Sequence, residues 1–451
     1  MSGPDGELLA LATRVAGWAG AGEQVEAYVA RSRDTDVVVY GGEIESLSSS
    51  TSEGVGVRVV AGGRQGFAYA GSLDDAVVAE TFAEARDNAA FATVDQFVGL
   101  AEPEAVAAAE LDLWRDDLLE FPASSKVELA MELERRVLGA DARIRTVESA
   151  GYGDGALETA VATSTGIAAS SRRTGCHVSA YALAGNGDET QSGGGYSVGR
   201  TQSELDLDKA TADAAERSTR LLGARKPPSA RLTVVLDRRV STTLLSILGG
   251  TLNGESVLKG RSLFAQRVGE EVGTASLTLV DDPTDPHAYG AASHDAEGLA
   301  CRRNVLIAGG VLQRFVYNTY AGRRAGVAST GCAVRGGFKS APGVGCRALS
   351  LAPGHQTQEE ILAQVGSGLL VQSISGVHSG VNAVSGDFSV GAEGLMIRDG
   401  QLAEPVREIT IASTIQRMLK AVVAVGNDLE WLPGSAAGVT LAIADMSMSG
   451  A

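Results

Sequence analysis

Histidine and carboxylate side chains are the most obvious candidates for metal chemistry in this sequence. Two of the five histidines, His287 and His294, fall within one short acidic segment. The acidic residues beside them are Asp281, Asp282, Asp285, Asp295 and Glu297. Imidazole and carboxylate groups bind zinc, but this spacing matches no familiar set of ligands, and Pro283 and Pro286 indicate a loop. Two interpretations stay open: a metal site and an ordinary solvated loop.

A possible serine nucleophile occurs at Ser197, within the stretch Gly195-Tyr-Ser-Val-Gly199. In hydrolases this motif places the serine on a sharp turn between a strand and a helix that begins at once. Here residues 200–204 intervene before any helical pattern, so we do not expect a nucleophile. The sequence also contains no His-Glu-x-x-His motif and no phosphate-binding loop. Motifs alone therefore reveal no active site.

The composition limits the classes of function. The chain has 451 residues, enough for two large domains, and a formal net charge of -17 at pH 7. Such an acidic protein repels phosphate backbones, so we do not expect it to bind nucleic acid. We find no apolar run of about 18 residues that would span a membrane, and no signal peptide at the start. We expect a cytoplasmic protein with reduced cysteines at Cys176, Cys301, Cys332 and Cys346.

The elements that would carry these residues divide the chain into two parts. In the first part, helical patterns accompany strand patterns such as Val25–Ala30, Val37–Tyr40 and Arg64–Ala70. Ser125 and Glu128 form the pattern of a capping box, which predicts the start of a helix. Two consecutive prolines at 227 and 228 cannot continue a helix. We therefore expect an N-terminal domain over 1–225 and a C-terminal domain over 232–451.

The second part is dominated by hairpin signals. Gly309-Gly310 and Asp399-Gly400 each separate two strand-like segments by two residues, as tight hairpin turns do. A further capping box, Thr357 with Glu360, predicts a short helix. The fold class predicted is α+β. It comprises an N-terminal α+β domain with an antiparallel sheet and helices, and a C-terminal β-rich hairpin domain with a few helices.

Several stretches of the sequence resemble the TldD/PmbA family, and in particular its PmbA (TldE) branch. They include VVVYGGEIESLSSSTSEGVGVRVVAGGRQGFAYA (37–70), LNGESVLKGRSLFAQRVGEEV (252–272), HDAEGLACRRNVLIAGGVLQRFV (294–316), SGVNAVSGDFSVGAEGLMIRDG (379–400) and VGNDLEW (425–431). The resemblance is collinear over nearly the whole chain. It implies the same division into an α+β domain and a β-rich domain.

The resemblance also implies where a zinc site would lie. In the TldD branch, the helix that opens the C-terminal domain carries His-Glu-x-x-x-His, and a cysteine near the C-terminus completes the zinc ligands. The matching positions here are Ser246 and Thr251 for the histidines and Ile247 for the glutamate. The last cysteine is Cys346, so the late ligand is missing as well. Hydroxyl groups are poor zinc ligands beside imidazole, and isoleucine cannot transfer a proton.

This pattern resembles members of the family that pair with a TldD subunit. It implies a metal-free chain without catalytic residues of its own, and zinc in a TldD-type partner. The substrate implied is an unstructured peptide, cleaved in peptide maturation or antitoxin turnover, and a homodimer in isolation is compatible with this role. The family name also refers to DNA gyrase, but the acidic charge argues that any such link is indirect.

A glycine- and serine-rich segment, Ser379–Gly394, is our hypothesis for the substrate contact. Extended peptides often bind as an added strand, and small side chains let a foreign backbone approach. The residues proposed for this contact are Ser379, Val381, Ser385 and Phe388. An interior hairpin that only fills the β-rich domain is the alternative.

Two other functions stay open: a self-sufficient metallopeptidase with a site near His287 and His294, and a stand-alone peptide-binding module.

Overall fold

The computed structural model describes residues 4–187 and 189–450. The N-terminal part consists of six long strands and five helices. In chain order these are α1 Pro4–Ala16, β1 Glu23–Tyr40, β2 Glu43–Ala61, β3 Arg64–Ala70, α2 Asp75–Phe91, α3 Asp116–Leu119, α4 Ala123–Ala140, β4 Ile144–Thr163, β5 Ala168–Asn186, β6 Glu189–Gly199 and α5 Leu207–Thr219. The strands form one antiparallel sheet in the order β3-β2-β1-β4-β5-β6.

Helices cover one face of this sheet. Side chains alternate between the two faces of a strand, so Val25 and Val29 of β1 share a face with Val37 and Val39. Val25 and Val29 pack in a core with α1 and α2, and the other two pack in a core with α4. The even-numbered residues of the middle of β1, including Asp34, consequently point to the opposite face.

The strands are longer than the sequence patterns predicted. Val25–Ala30 and Val37–Tyr40 belong to one strand, because β1 pairs with β2 and β4 through its polar middle. Strands β2 and β3 form a hairpin, and its two turn glycines, Gly62 and Gly63, both have positive φ. The capping box predicted at Ser125 and Glu128 is wrong, because α4 already begins at Ala123 and Ser125 lies inside it.

The C-terminal part contains fourteen strands and six helices. They are β7 Ala230–Leu236, α6 Arg238–Thr251, α7 Gly254–Leu258, β8 Leu279–Asp281, β9 Asn304–Ala308, β10 Val311–Leu312, α8 Thr319–Ala325, β11 Ala333–Val334, β12 Gly343–Val344, β13 Leu349–Leu351, α9 Gln358–Val365, β14 Gly368–Ser375, α10 Val377–Gly380, β15 Asp387–Arg398, β16 Gln401–Thr414, α11 Ile415–Lys420, β17 Val422–Val425, β18 Glu430–Trp431, β19 Ala437–Gly438 and β20 Leu441–Ser449. The predicted α+β class, with a β-rich second part, is confirmed.

The main sheet of this part surrounds its hydrophobic core. Its strand order is β16-β15-β14-β7-β20-β17, and β16 also pairs with β20, so five of its strands close into a ring. Only β14 and β7 run parallel within it. The predicted hairpin turns at Gly309-Gly310 and Asp399-Gly400 are both present, with positive φ. The capping box of Thr357 and Glu360 is confirmed at α9.

A buried network of charged groups joins the two parts. The carboxylate of Glu26 on β1 forms salt bridges with Arg58 on β2 and with Arg335, which follows β11. Arg58 also lies 3.8 Å from a carboxylate oxygen of Glu297. The other oxygen of Glu297 accepts hydrogen bonds from the backbone and hydroxyl groups of Thr319, at 2.9 and 2.7 Å. The helix-free face of the N-terminal sheet is thereby held against the C-terminal part.

Candidate functional site

Helix α6 carries Ser246, Ile247 and Thr251, the three positions that the resemblance aligns with a zinc motif. Asp237 caps its N-terminus by accepting a hydrogen bond from the backbone amide of Arg239. Three leucines, Leu244, Leu245 and Leu248, pack its inner face into the core. The helix reads RRVSTTLLSILGGT, without a histidine, cysteine, aspartate or glutamate. The ligand types that zinc prefers in proteins are thus absent from α6.

The three aligned positions have ordinary structural surroundings. Ser246 is exposed, and its hydroxyl donates to the carbonyl of Thr242 at 2.9 Å. Ile247 is partly buried against the core. Thr251 is 0% exposed, and its hydroxyl donates to the carbonyl of Leu248 at 2.8 Å. These side chains do not fit a zinc ion, because one faces solvent, one is apolar and one is enclosed.

The two histidines of the acidic loop differ in exposure and in their neighbours. The His287 side chain is 85% exposed and lies 3.0 Å from a carboxylate oxygen of Asp285. His294 is half-buried, its Nδ1 has no hydrogen-bond partner, and burial lowers its pKa. Within residues 4–187 and 189–450, no group of three or more histidine, cysteine, aspartate or glutamate residues could hold a metal ion.

The buried acids of the same segment support the backbone instead. Asp281 accepts hydrogen bonds from the amides of Arg347 and Ala348, at 2.9 and 2.8 Å. Asp295 accepts from the amide of Ala333 at 3.0 Å and from two amides of its own loop. Burial raises the pKa of Asp295 to about 7, and the charge of Glu297 adds to the shift. Both carboxyl groups therefore act as fixed acceptors inside the fold.

Ser197 lies on strand β6, so its motif is not a nucleophile elbow. The side chain is 7% exposed, and its hydroxyl oxygen accepts a hydrogen bond from the backbone amide of Asp206 at 2.8 Å. The glycine before it allows α5 to pack closely, because a Cβ added to Gly195 would lie 1.8 Å from the carbonyl oxygen of Ala210. The motif serves helix packing.

The proposed substrate segment divides into exposed and buried residues. Ser379 and Ser385 are exposed and Val381 is partly buried, and substrate contact by these three stays a prediction. For Phe388 the prediction is wrong, because its side chain is 2% exposed and packs in the main core. Phe388 lies on β15 and forms a bridge with Val381, as in the interior hairpin considered as the alternative.

A cleft of about 840 Å³ lies on the helix-free face of the N-terminal sheet. Its floor comes from β1, β4, β5 and the end of β6, and its opposite side is formed by a C-terminal loop over 286–289, the loop wall, together with Trp431 of β18. The charged or aromatic residues that line it are Asp34, Asp36, Asp112, Arg115, Asp154, Arg173, His177, Arg200, Glu204, His287, Tyr289 and Trp431. Sequence analysis missed all of them except His287.

The basic side chains of the cleft are crowded. Arg200 donates to the carbonyl of Ala288 at 3.1 Å, which ties the loop wall to the sheet. Burial lowers the pKa of Arg173, and the nearby positive charge of Arg347 adds to that effect. Burial and the charge of Arg173 likewise lower the pKa of Arg200. This end of the cleft therefore holds like charges close together.

Comparison with protein-family models assigns the chain. Residues 229–450 match the PmbA/TldA metallopeptidase C-terminal domain, residues 25–89 match domain 1, and residues 116–222 match the central domain. The three matches follow one another in order over most of the sequence. The chain belongs to the PmbA/TldD metallopeptidase family.

Individual relatives agree with this assignment. The chain is 28% identical over 414 residues to the metalloprotease PmbA of Escherichia coli O157:H7, covering 91% of this chain and 89% of that protein. It is 26% identical over 408 residues to a metalloprotease of Methanothermobacter thermautotrophicus, covering 88% and 86%. The crystal structure of TldE from Thermococcus kodakarensis shares the fold, with a TM-score of 0.87 at 22% identity over 95% of this chain and 97% of that one.

Among the described residues, no helix is both long enough and apolar enough to cross a membrane.

Proposed function

We propose that this chain is the metal-free subunit of a two-component metalloprotease that acts on unstructured peptides. A TldD-type partner supplies the zinc and the catalytic base. The observation that carries the proposal is the placement of two side chains of α6: Thr251 is fully enclosed, and Ser246 faces solvent. A family member without ligands on this helix needs another chain for the chemistry.

The family membership supports the reaction class of the assembly. Relatives of similar length bear the name metalloprotease, so the family's substrate is a peptide bond. The fold it shares with TldE of Thermococcus kodakarensis supports the particular role of a TldE-type subunit. In this role the chain contributes binding surface, while proton transfer and metal chemistry belong to the partner.

The alternative, a self-sufficient metallopeptidase near His287 and His294, has less support. A catalytic zinc needs three protein ligands with an open fourth position. His287 projects into solvent with one carboxylate beside it, and His294 is half-buried with an unpartnered Nδ1. No third ligand accompanies either histidine in the part of the chain that the structure describes.

The test combines metal analysis with reconstitution. The purified chain is analysed for zinc by mass spectrometry and mixed with a TldD-type protein from the same organism. We expect comigration in size-exclusion chromatography at micromolar concentration, and cleavage of an unstructured peptide only by the mixture. Ser246→Ala in this chain is the matched control, and it leaves cleavage unchanged because the hydroxyl bonds only to its own helix.

Two results would overturn the proposal. One is about one zinc per isolated chain together with peptidase activity, both lost in His287→Ala or His294→Ala, which would establish the alternative. The other is the failure of the two proteins to comigrate or to act together. A homodimer of the isolated chain is compatible with the proposal.

A further inference from the structure

The floor of the cleft is built from aligned rows of three neighbouring strands. In one row, Asp36 of β1 pairs with Gly153 of β4, and Gly153 pairs with His177 of β5. Arg173, which precedes His177 by four residues on β5, lies opposite Leu157 of β4. Glycines at 153, 155 and 175 lie between these charged ends. A Cβ added to Gly153 would collide with the ring of His177, and one added to Gly155 would lie 2.8 Å from Oδ1 of Asp34, so these side chains cover two of the three glycines. Above Gly175 the nearest atom is a backbone oxygen at 3.8 Å, so a foreign backbone can approach the floor closely there.

The basic end of the cleft has guanidinium groups without a salt-bridge partner in the described part of the chain, and its one nearby carboxylate, Glu204, accepts a hydrogen bond from the backbone amide of Arg200 at 2.7 Å. Arg173 forms no hydrogen bond or salt bridge within the described residues, and Arg200 bonds through its side chain only to backbone carbonyls of the loop wall. By contrast, Arg115 at the rim is paired with Asp112 at 3.0 Å. Like charges brought together in a partly buried site repel each other, and an anion bound between them removes this repulsion.

The opposite end of the cleft is acidic. Asp34 and Asp36 are exposed, and neither has a hydrogen-bond or salt-bridge partner in the described part of the chain. The side chain of Asp154 points to the helix-covered face of the sheet, where it pairs with Lys126 of α4 at 2.5 Å, so it adds no charge to this end. A polyphosphate or another multiply charged anion would be repelled by this end. A ligand with a negative charge at one end and a positive charge at the other matches both the basic and the acidic end of the cleft.

The register of the sheet gives the length of such a ligand. Asp36 and Arg173 are separated by two strand spacings, about 10 Å, and by four residues along β5, about 13 Å. The diagonal is roughly 16 Å, which an extended peptide of about five residues spans. A cleft of about 840 Å³ has room for a ligand of this size.

We propose that this cleft binds the carboxyl-terminal end of a peptide, about five residues long, with its terminal carboxylate between Arg173 and Arg200. The planar guanidinium group matches a carboxylate with two parallel hydrogen bonds. The backbone of the peptide passes over Gly175 and beside the ring of His177, and its amino end points toward Asp34 and Asp36. The inference rests on the proposed function for its ligand class, a peptide, and adds where this chain holds it.

The probe is penta-alanine with a free carboxyl terminus, titrated into the isolated chain by calorimetry. The comparison ligand is the same peptide with a C-terminal amide. Amidation removes the negative charge that the two guanidinium groups bind, so we expect it to weaken binding at least tenfold. In Arg173→Gln the affinity for the free acid falls by a similar factor, and the ratio of the affinities for acid and amide approaches one.

Arg33→Gln is the matched control. Arg33 lies on β1 between two residues that line the cleft, but it points to the other face of the sheet and does not line it. This variant keeps both the affinity and the acid-to-amide difference. Circular dichroism and thermal melting establish that each variant is folded.

Three outcomes would overturn the inference: equal affinity for acid and amide, unchanged binding in folded Arg173→Gln, or no binding of the free acid at millimolar concentration. Restored binding of an amidated peptide whose last residue is glutamate would overturn the assignment to the terminal carboxylate. Because the assay uses neither partner nor cleavage, its failure is distinct from that of the proposed function. A chain that activates a TldD-type partner but binds no penta-alanine refutes only the cleft assignment.

Discussion

The carboxylate of Glu26 and the guanidinium of Arg335 form a salt bridge in which both side chains are 1% exposed. The two residues lie 309 positions apart in sequence and in different parts of the fold. Arg335 also lies over the ring of Tyr28, 4.7 Å from its centroid, and its Nε donates to the carbonyl of Ala296. Such a pair is formed only when the two parts are docked.

Removing the charge of Glu26 should strongly destabilise the chain. Breaking a buried ion pair from one side leaves an uncompensated charge, at a cost of about 3–5 kcal/mol. We expect Glu26→Gln to lower the free energy of unfolding in urea by that amount. Glu53→Gln removes the partially exposed partner of Arg31 and is the control, with a cost of about 1 kcal/mol or less. Equal effects of the two substitutions would refute a special role for the buried pair.

The stability of the chain should depend on the protonation of Asp295. Burial and the charge of Glu297 raise the pKa of Asp295 from 3.8 to about 7, so the folded protein favours the protonated form of this carboxyl group. A raised carboxyl pKa contributes stability that is fully present below pH 3.8 and is lost as the pH rises toward 7. We expect the wild type to lose stability relative to Asp295→Asn between pH 5 and 7.5, measured by urea unfolding with tryptophan fluorescence.

The comparison of the two curves isolates this carboxyl group. The asparagine places an amide donor near the backbone amide of Ala333, so the variant is less stable by an offset that does not vary with pH. Groups that do not interact with Asp295 titrate equally in both proteins. Parallel curves across this range would contradict the raised pKa.

Grafting the zinc motif onto α6 should not create a metal site. In the variant Ser246→His/Ile247→Glu/Thr251→His, the second histidine, at position 251, must enter a space that is 0% exposed. Overpacking of this kind costs about 1–3 kcal/mol. We expect lower stability in urea and no stoichiometric zinc by mass spectrometry. Ser246→His alone is the control, and at its exposed position it changes stability by about 0.5 kcal/mol or less.

A stable triple variant that binds one zinc per chain would contradict this expectation. It would mean that the helix can rearrange to present both positions, and that the loss of ligands alone separates this chain from its zinc-binding relatives.

Gly195 should be required for the packing of α5 on the sheet. A methyl group there would collide with backbone, since its distance from the Ala210 carbonyl oxygen is only 1.8 Å. We expect Gly195→Ala to cost about 1–3 kcal/mol or more in urea unfolding. Gly194→Ala is the matched control, because its Cβ meets the ring of Tyr181 at 2.9 Å, and this ring is 55% exposed and free to rotate. Equal destabilisation by both would contradict the packing role.

Local features of the fold were predictable from sequence. The turns at Gly62-Gly63 and Asp399-Gly400 need positive φ at both central residues, and glycine or aspartate supplies it without help from the rest of the chain. The capping box at Thr357 depends on two side chains three residues apart. The box predicted at Ser125 failed because helix α4 begins two residues earlier, where Pro122 fixes the backbone before the first turn.

The cleft was not predictable in the same way. Asp36, Arg173 and Arg200 lie on or beside different strands, and only the register of the sheet brings them to one face. A weak signal does exist in β5, where Arg173, Gly175 and His177 alternate with residues of the buried face. Reading that alternation would have marked a polar, glycine-bearing face on a strand whose other face is apolar.

The placement of β20 determines when the C-terminal part can fold. This strand, Leu441–Ser449, lies between β7 and β17 and also pairs with β16. Its neighbour β7 is synthesised about 200 residues earlier, so the ring stays open on the ribosome until β20 has been made. During that interval the edge of β7 that later pairs with β20 has free backbone N–H and C=O groups, which can pair with strands of other chains. A ribosome that stalls before residue 441 would therefore release an aggregation-prone chain, and a chaperone acting at this stage would protect the nascent protein most.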